Sequence, residues 1–146
     1  MIKLKQFQLS DLSEVLRISK SSFSHPWSRA EFQKCYKDYP KEFIVAEDHG
    51  KIAGFIVGKI SNNVGVIKLI AVDIRYRSKG IGKDLLGFLL DYFQQQGLKK
   101  ILARTRIQNK TGADFLENFG LEMKKTIKNY YSNGEDAYLM EKTLGG

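Results

Sequence analysis

The middle of the chain limits what it can fold into more than any other stretch. Val64 to Val72 is an apolar run rich in β-branched residues, reading as a strand buried on both faces. It leads through a basic, glycine-bearing turn, Asp73 to Lys83, into the clearest helix pattern of the sequence, Gly80 to Gln96. There Ile81, Leu85, Leu89 and Phe93 recur at four-residue steps with Leu86 and Leu90 beside them, and Gly97 supplies the stop. Lys100 to Arg106 then reads as a further strand. Strand, helix and strand in this order predict a right-handed crossover unit, hence an α/β fold.

The flanks extend that alternation. Ile2, Leu4 and Phe7 suggest a first strand, and Ser10 is the expected N-cap of a helix carrying Leu12, Val15, Leu16 and Ile18 on one side. After Phe23-Ser24-His25-Pro26-Trp27, the capping box Ser28-Arg29-Ala30-Glu31 starts a second helix to about Tyr36. Strands are expected over 42–47 and 52–60, joined by the hairpin signal Asp48-His49-Gly50, with a turn at Asn62-Asn63. Lys110 to Phe119 reads as a helix ended by Gly120. Leu121 to Tyr131 and Ala137 to Lys142 read as strands joined through Asn133-Gly134.

With 146 residues, 42% hydrophobic and 12% aromatic, the chain has material for one core, so residues 1–146 are expected to form a single domain rather than a disordered segment. Charges interrupt every apolar run before a membrane span is reached, and Met1 to Gln6 holds no signal-peptide core, so the expected compartment is the cytoplasm. The lone Cys35 has no internal partner for a disulfide or a metal knuckle, reads as a small core residue, and no metal is expected. A formal charge of +8 favours anionic partners. Charge does not choose among nucleic acid, a phosphorylated cofactor and an acidic surface, but Arg75, Arg77, Lys79 and Lys83 concentrate around Gly80 and Gly82 in an acid-free stretch.

That concentration points to a phosphate. Backbone amides at a helix N-terminus are unpaired and sit at the positive end of the dipole, and glycines let an anion approach them. The same glycines would also serve tight helix–strand packing. A Walker loop would need a glycine where Arg77 stands and Ser or Thr where Asp84 stands, and a dinucleotide fingerprint a third glycine at Leu85, so neither fits.

What remains, Arg77-x-x-Gly80-x-Gly82 after an apolar strand, resembles the acetyl-coenzyme A pyrophosphate loop of the GNAT acetyltransferase superfamily, and the order of elements matches that fold over nearly the whole chain. Asn129-Tyr130-Tyr131-Ser132-Asn133-Gly134-Glu135-Asp136-Ala137 resembles the Tyr-Tyr-x-x-Gly-Glu-Asp-Ala segment of the N-terminal acetyltransferase branch, as does Phe23 with Pro26-Trp27-Ser28. That branch includes the ribosomal-protein-alanine acetyltransferases and the archaeal N-alpha-acetyltransferases. The resemblance implies a mixed, mostly antiparallel central sheet of about seven strands with about four helices on its two faces. It implies acetyl-CoA as cosubstrate and transfer of acetyl to a protein or peptide N-terminus by direct attack on the thioester.

Carried onto this chain, the resemblance implies that Ile70, Ala71 and Val72 offer backbone groups to the pantetheine arm, with a Val72 backbone contact at the oxyanion. Arg77 and the amides of Ser78, Lys79, Gly80, Ile81, Gly82 and Lys83 would take the pyrophosphate, and Asn109 would touch the cofactor. Phe23, Pro26, Trp27, Tyr130, Tyr131 and Glu135 would line the peptide entrance, with Tyr131 also a catalytic candidate. A tyrosine pair on a strand would send one ring to each face, leaving one for a groove.

Two positions depart from the family. Arg104 stands where a Glu or His base is often found, and Leu116 where a proton-donating Tyr is. An Arg does not accept a proton at neutral pH. A protein α-amine, with a pKa near ~8, is substantially neutral without help, whereas a Lys side chain near ~10.4 is not, so the α-amine is the easier nucleophile. The expected partner is a protein or peptide N-terminus, with no nucleic acid or membrane, and the chain is expected to be a monomer or weak homodimer. A lysine or small-molecule amine acetyltransferase, a catalytically impaired CoA-binding module and a nucleic-acid binder remain the competing readings.

Overall fold

A computed structural model describes residues 1–144. Among them, seven strands form one mixed sheet in the order β1-β2-β3-β4-β5-β7-β6 and four α-helices connect them. The strands are β1 (Ile2–Gln6), β2 (Phe43–Asp48), β3 (Lys51–Ser61), β4 (Val64–Val72), β5 (Lys100–Arg106), β6 (Glu122–Ile127) and β7 (Ala137–Thr143). The helices are α1 (Leu12–Ser22), α2 (Arg29–Asp38), α3 (Ile81–Gln95) and α4 (Lys110–Asn118). The one parallel pairing among the described registers is β4 with β5, Gly65–Ile67 against Ile101–Ala103, as the crossover reading requires. Gly65 belongs there because a Cβ would come within 2.6 Å of the Phe93 ring.

Two compact units are distinguished: 1–59 with 69–92, and 60–68 with the chain from Phe93 onward. The first holds the antiparallel β1-β2-β3 ladder and a core of stacked aromatics. Phe7 lies 4.0 Å from Phe43 in a near-parallel stack, and Phe32 meets Phe55 edge-on at 5.6 Å, the T-shaped arrangement that the ring quadrupoles favour. Cys35 is buried in this cluster, as a small apolar residue would be. His49 and Gly50 both take positive φ in the β2–β3 turn, as do Asn62 and Asn63 between β3 and β4, the conformation that short hairpin turns demand. In the second unit, β7 lies antiparallel to both β5 and β6.

Several local expectations change. Ser10 does not cap α1; a 3-10 turn at Leu9–Asp11 precedes the helix, and the buried Asp11 carboxylate accepts the Gln8 amide at 2.9 Å. The Ser28–Glu31 capping box forms as expected, but α2 runs on to Asp38. β4 is not buried on both faces: Lys68 is exposed, and Leu69, Ile70 and Val72 are half-buried. The strand after Leu121 ends at Ile127 instead of Tyr131, because Asn129 adopts φ of +52° and gives its amide to the Asp136 carboxylate at 2.9 Å rather than to a ladder partner. No described helix is long and apolar enough to cross a membrane.

Candidate active site

In the first unit, the candidate cofactor loop is organised by a residue that motif reading passed over. Asp73, at the end of β4, is only 3% exposed. Its carboxylate accepts the Arg75 amide at 3.1 Å, Arg75 Nη2 at 2.8 Å and Arg17 Nη2 at 3.0 Å, while its own amide donates to the Ala53 carbonyl at 2.8 Å. The hydrogen bonds from Arg75, with help from Arg17, hold the Asp73 carboxyl well below the usual carboxylate range. Asp73 thereby caps the 3-10 turn Ile74–Tyr76 and sets the exit angle of the loop toward α3. An Asp directly after an apolar strand and two residues before an Arg was the signal available in the sequence.

Beyond that turn the backbone alternates. Ser78 takes φ of +65° and Gly80 φ of +81°, and the Gly80 carbonyl accepts the Asp84 amide at 3.0 Å to start α3. Residues alternating in this way turn successive amides to one side and form an anion-binding nest. Among the described residues, no side chain caps the amides of Ser78 to Lys83, and a Cβ at Gly80 would meet open space. Uncapped amides, positive φ and exposed Lys79 and Lys83 together fit a phosphate. Lys79 leans over the Tyr76 ring at 5.9 Å, and Tyr76 is anchored by a hydroxyl donated to Asp48 at 3.1 Å.

The cradle candidates do not all present side chains. Ile81 is a core residue, 2% exposed, so only its backbone is available. Arg77 donates Nε to the Val72 carbonyl at 3.1 Å and Nη2 to the Ser22 hydroxyl at 3.4 Å, which ties the loop back to the end of β4. Ala71 is buried where Gly54 of β3 lets the strands close: a Cβ there would lie 2.9 Å from the Ala71 carbonyl. Phe23 and Trp27, expected at a peptide entrance, are half-buried against the aromatic core, with Trp27 5.2 Å from Phe32, whereas Pro26 is exposed.

The second unit gathers the tyrosine segment. Because β6 has ended, Tyr130 and Tyr131 do not alternate across a sheet; they lie in the connection to β7, with their rings 4.9 Å apart and perpendicular. The loop is pinned by Tyr131 N–H to the Glu135 carbonyl at 3.1 Å and Gly134 N–H to the Tyr131 carbonyl at 2.9 Å. Two arginines of β5 reach it. Arg106 lies 3.8 Å from the centroid of the Tyr131 ring and 3.3 Å from both Glu135 Oε1 and Asn133 Oδ1, and Asn133 in turn donates to Glu135. Arg104 lies over Tyr130 at 5.6 Å. Burial pushes the Tyr131 phenol up, against the smaller opposing pull of Arg106. A phenol so placed stays protonated, which suits a proton donor and not a base.

Asn109 caps α4: its side-chain oxygen accepts the Gly112 amide at 3.0 Å, leaving the amide nitrogen for a ligand. Leu116 is buried at 5% exposure and serves packing.

Comparison with known proteins identifies the family and the fold. The family model described as Acetyltransferase (GNAT) family matches residues 12–121. An uncharacterised N-acetyltransferase of Methanocaldococcus jannaschii is 32% identical over 95% of this chain and 90% of its own. An N-alpha-acetyltransferase of Sulfurisphaera tokodaii is 26% identical, with 97% of this chain and 93% of the relative covered. Among solved structures, Ard1 from Thermoplasma volcanium superimposes with a TM-score of 0.94 at 27% identity, covering 99% of each chain.

Proposed function

Given that this chain belongs to the GNAT acetyltransferase family, we propose that residues 1–146 act as one domain that transfers acetyl from acetyl-CoA to the N-terminal α-amine of a protein or peptide. The observation that carries the donor side is the run of uncapped amides at Ser78–Lys83 with positive φ at Ser78 and Gly80. Those amides, with Lys79 and Lys83, would hold the pyrophosphate. Arg77 braces the loop through Val72 and Ser22 and offers its remaining N–H groups to the same anion. Ile70, Ala71 and Val72 would hold the pantetheine arm through backbone groups, with a Val72 contact polarising the acetyl carbonyl. Asn109 would add its free amide N–H from the α4 cap.

Bound acetyl-CoA supplies an acetyl group already activated as a thioester. The chain's residues then have to orient an amine and handle its proton. Arg104 stands where a base would serve and takes up no proton at neutral pH, and Tyr131 is held protonated, so an amine that is already partly neutral suits this site best. An α-amine near pKa ~8 meets that condition; a Lys side chain near ~10.4 does not. Tyr130, Tyr131 and Glu135 would line the acceptor peptide, and Phe23, Pro26 and Trp27 are the further candidates for acceptor contacts. Relatives named N-alpha-acetyltransferase support the same acceptor. We take the protein to work in the cytoplasm as a monomer or weak homodimer, without nucleic acid or membrane.

The test combines two measurements. Acetyl-CoA should raise the melting temperature in a concentration-dependent way, since a ligand that binds only the folded form stabilises it. A peptide panel read by mass spectrometry should then carry acetyl on the first residue; acetylation confined to internal Lys or small amines would overturn the assignment.

A further inference from the structure

Arg104 and Arg106 stand two residues apart on β5, so their side chains leave the same face of the strand, and both run to the tyrosine loop. Their charge environments differ. Arg106 is compensated by Glu135 at 3.3 Å and by Asn133. Arg104 is exposed, lies against the Tyr130 ring at 5.6 Å, and among the described residues has no carboxylate partner. A ring contact of this kind steadies a guanidinium without using up its N–H donors, and those donors form a planar fork that matches a carboxylate in two parallel hydrogen bonds.

We propose that Arg104 is a specificity residue that selects substrates with a carboxylate side chain, Asp or Glu, within the first two residues. The inference rests on the α-amine reading above. Its reach follows from chain geometry: consecutive Cα atoms are about 3.8 Å apart, so a peptide whose amine sits by the tyrosine pair brings only its first one or two side chains within range of Arg104. Charge sets the direction. A protonated α-amine and the guanidinium repel each other, and a neighbouring carboxylate offsets that repulsion while gaining charge-assisted hydrogen bonds. A Lys or Arg in the same place adds a third positive charge and is selected against.

The experiment compares kcat/KM for peptides of identical sequence carrying Asp, Asn, Glu, Gln or Lys at the first or second position. The wild type and the Arg104→Gln, Arg104→Lys and Arg104→Glu variants are each checked for a cooperative melt. The wild type should favour an acid over its amide by about tenfold or more, expressed chiefly in KM. That ratio should shrink as salt rises. Arg104→Gln should bring the ratio close to one, Arg104→Lys should restore part of it, and Arg104→Glu should turn the preference toward Lys. An acid-to-amide ratio near one in the wild type, or one unchanged in Arg104→Gln, overturns the role of Arg104 while leaving N-terminal acetylation standing. Acetyl found only on Lys side chains or small amines removes the parent reading, and this one with it.

Discussion

The Arg106 guanidinium carbon lies 3.8 Å from the centroid of the Tyr131 ring, and one edge of the same guanidinium meets Glu135 at 3.3 Å. One side chain thus fixes both the position of the phenol and the loop that carries it. Replacing Arg106 with Ala should lower kcat/KM for a peptide acceptor by about tenfold, the scale of a partly desolvated cation–π contact. Arg106→Lys should retain part of the activity because it keeps the charge and loses the planar fork. Steady-state kinetics at saturating acetyl-CoA, with a melting curve for each variant, separate this from simple unfolding; equal kinetics in all three proteins would remove Arg106 from the site.

The Tyr131 phenol is displaced upward by burial, so its ionisation lies above the ordinary tyrosine value of ~10. As a proton donor it is therefore fully protonated through neutral pH, and its loss should not limit the rate until the medium is more alkaline than that. The acidic limb should instead follow deprotonation of the substrate amine near ~8. Tyr131→Phe should reduce kcat by about a hundredfold while leaving the acidic limb in place. A pH–rate profile of both proteins checks this; a wild-type rate falling already between pH 8 and 9 would show that the proton comes from elsewhere.

Gly82 lies in the first turn of α3, among the amides proposed to receive phosphate. Gly82→Glu puts a carboxylate there, which the helix dipole tolerates and a bound anion does not. Acetyl-CoA affinity measured by calorimetry should fall by about tenfold or more, with the melting temperature of the free protein little changed. Unaltered affinity would place the cofactor somewhere else.

Asp73 contributes to stability through its pH dependence. Its folded pKa is depressed, chiefly by Arg75, so its contribution is present above the ordinary carboxylate pKa of ~3.9 and is lost progressively as pH falls below about 4. Asp73→Asn should cost about 2 kcal/mol at neutral pH, an unmatched hydrogen-bond site between two arginines that reach solvent, and should flatten the acid limb of the stability curve. Denaturant melts of both proteins between pH 3 and 7 report the difference, and parallel curves would count against it.

Gly65 permits β4 to pass the Phe93 ring of α3, where a Cβ would approach to 2.6 Å. Gly65→Ala should destabilise the fold by about 1–3 kcal/mol through overpacking, and trimming the ring in Gly65→Ala/Phe93→Leu should recover part of that loss. A thermal melt of the single and double variants reads the coupling.

Local patterns were legible wherever one short stretch carries its own physics. The four-residue recurrence of Ile81, Leu85, Leu89 and Phe93 marked α3, and all four are buried. The Ser28–Glu31 box, the Asp48-His49-Gly50 turn and the Arg77-x-x-Gly80-x-Gly82 run depend on residues a few positions apart, and each stands where local chemistry places it. The tyrosine segment was recognisable, but its geometry was not. The end of β6 at Ile127 depends on Asp136, nine residues away, taking the Asn129 amide, and no strand propensity encodes that competition.

The chain's order of residues therefore determined the α/β alternation, the crossover into α3 and the basic, glycine-bearing turn before it, because periodicity, glycine and charge act over a turn or two. Tertiary structure alone decided which charges are neutralised. Arg17 reaches Asp73 across 56 residues and Arg106 reaches Glu135 across 29, whereas Arg104, on the same strand face as Arg106, has no such partner among the described residues. Ion pairs form between groups that folding brings within about 4 Å, whatever their separation along the chain, so which arginine of β5 is paired was settled only when β5 and the tyrosine loop came together.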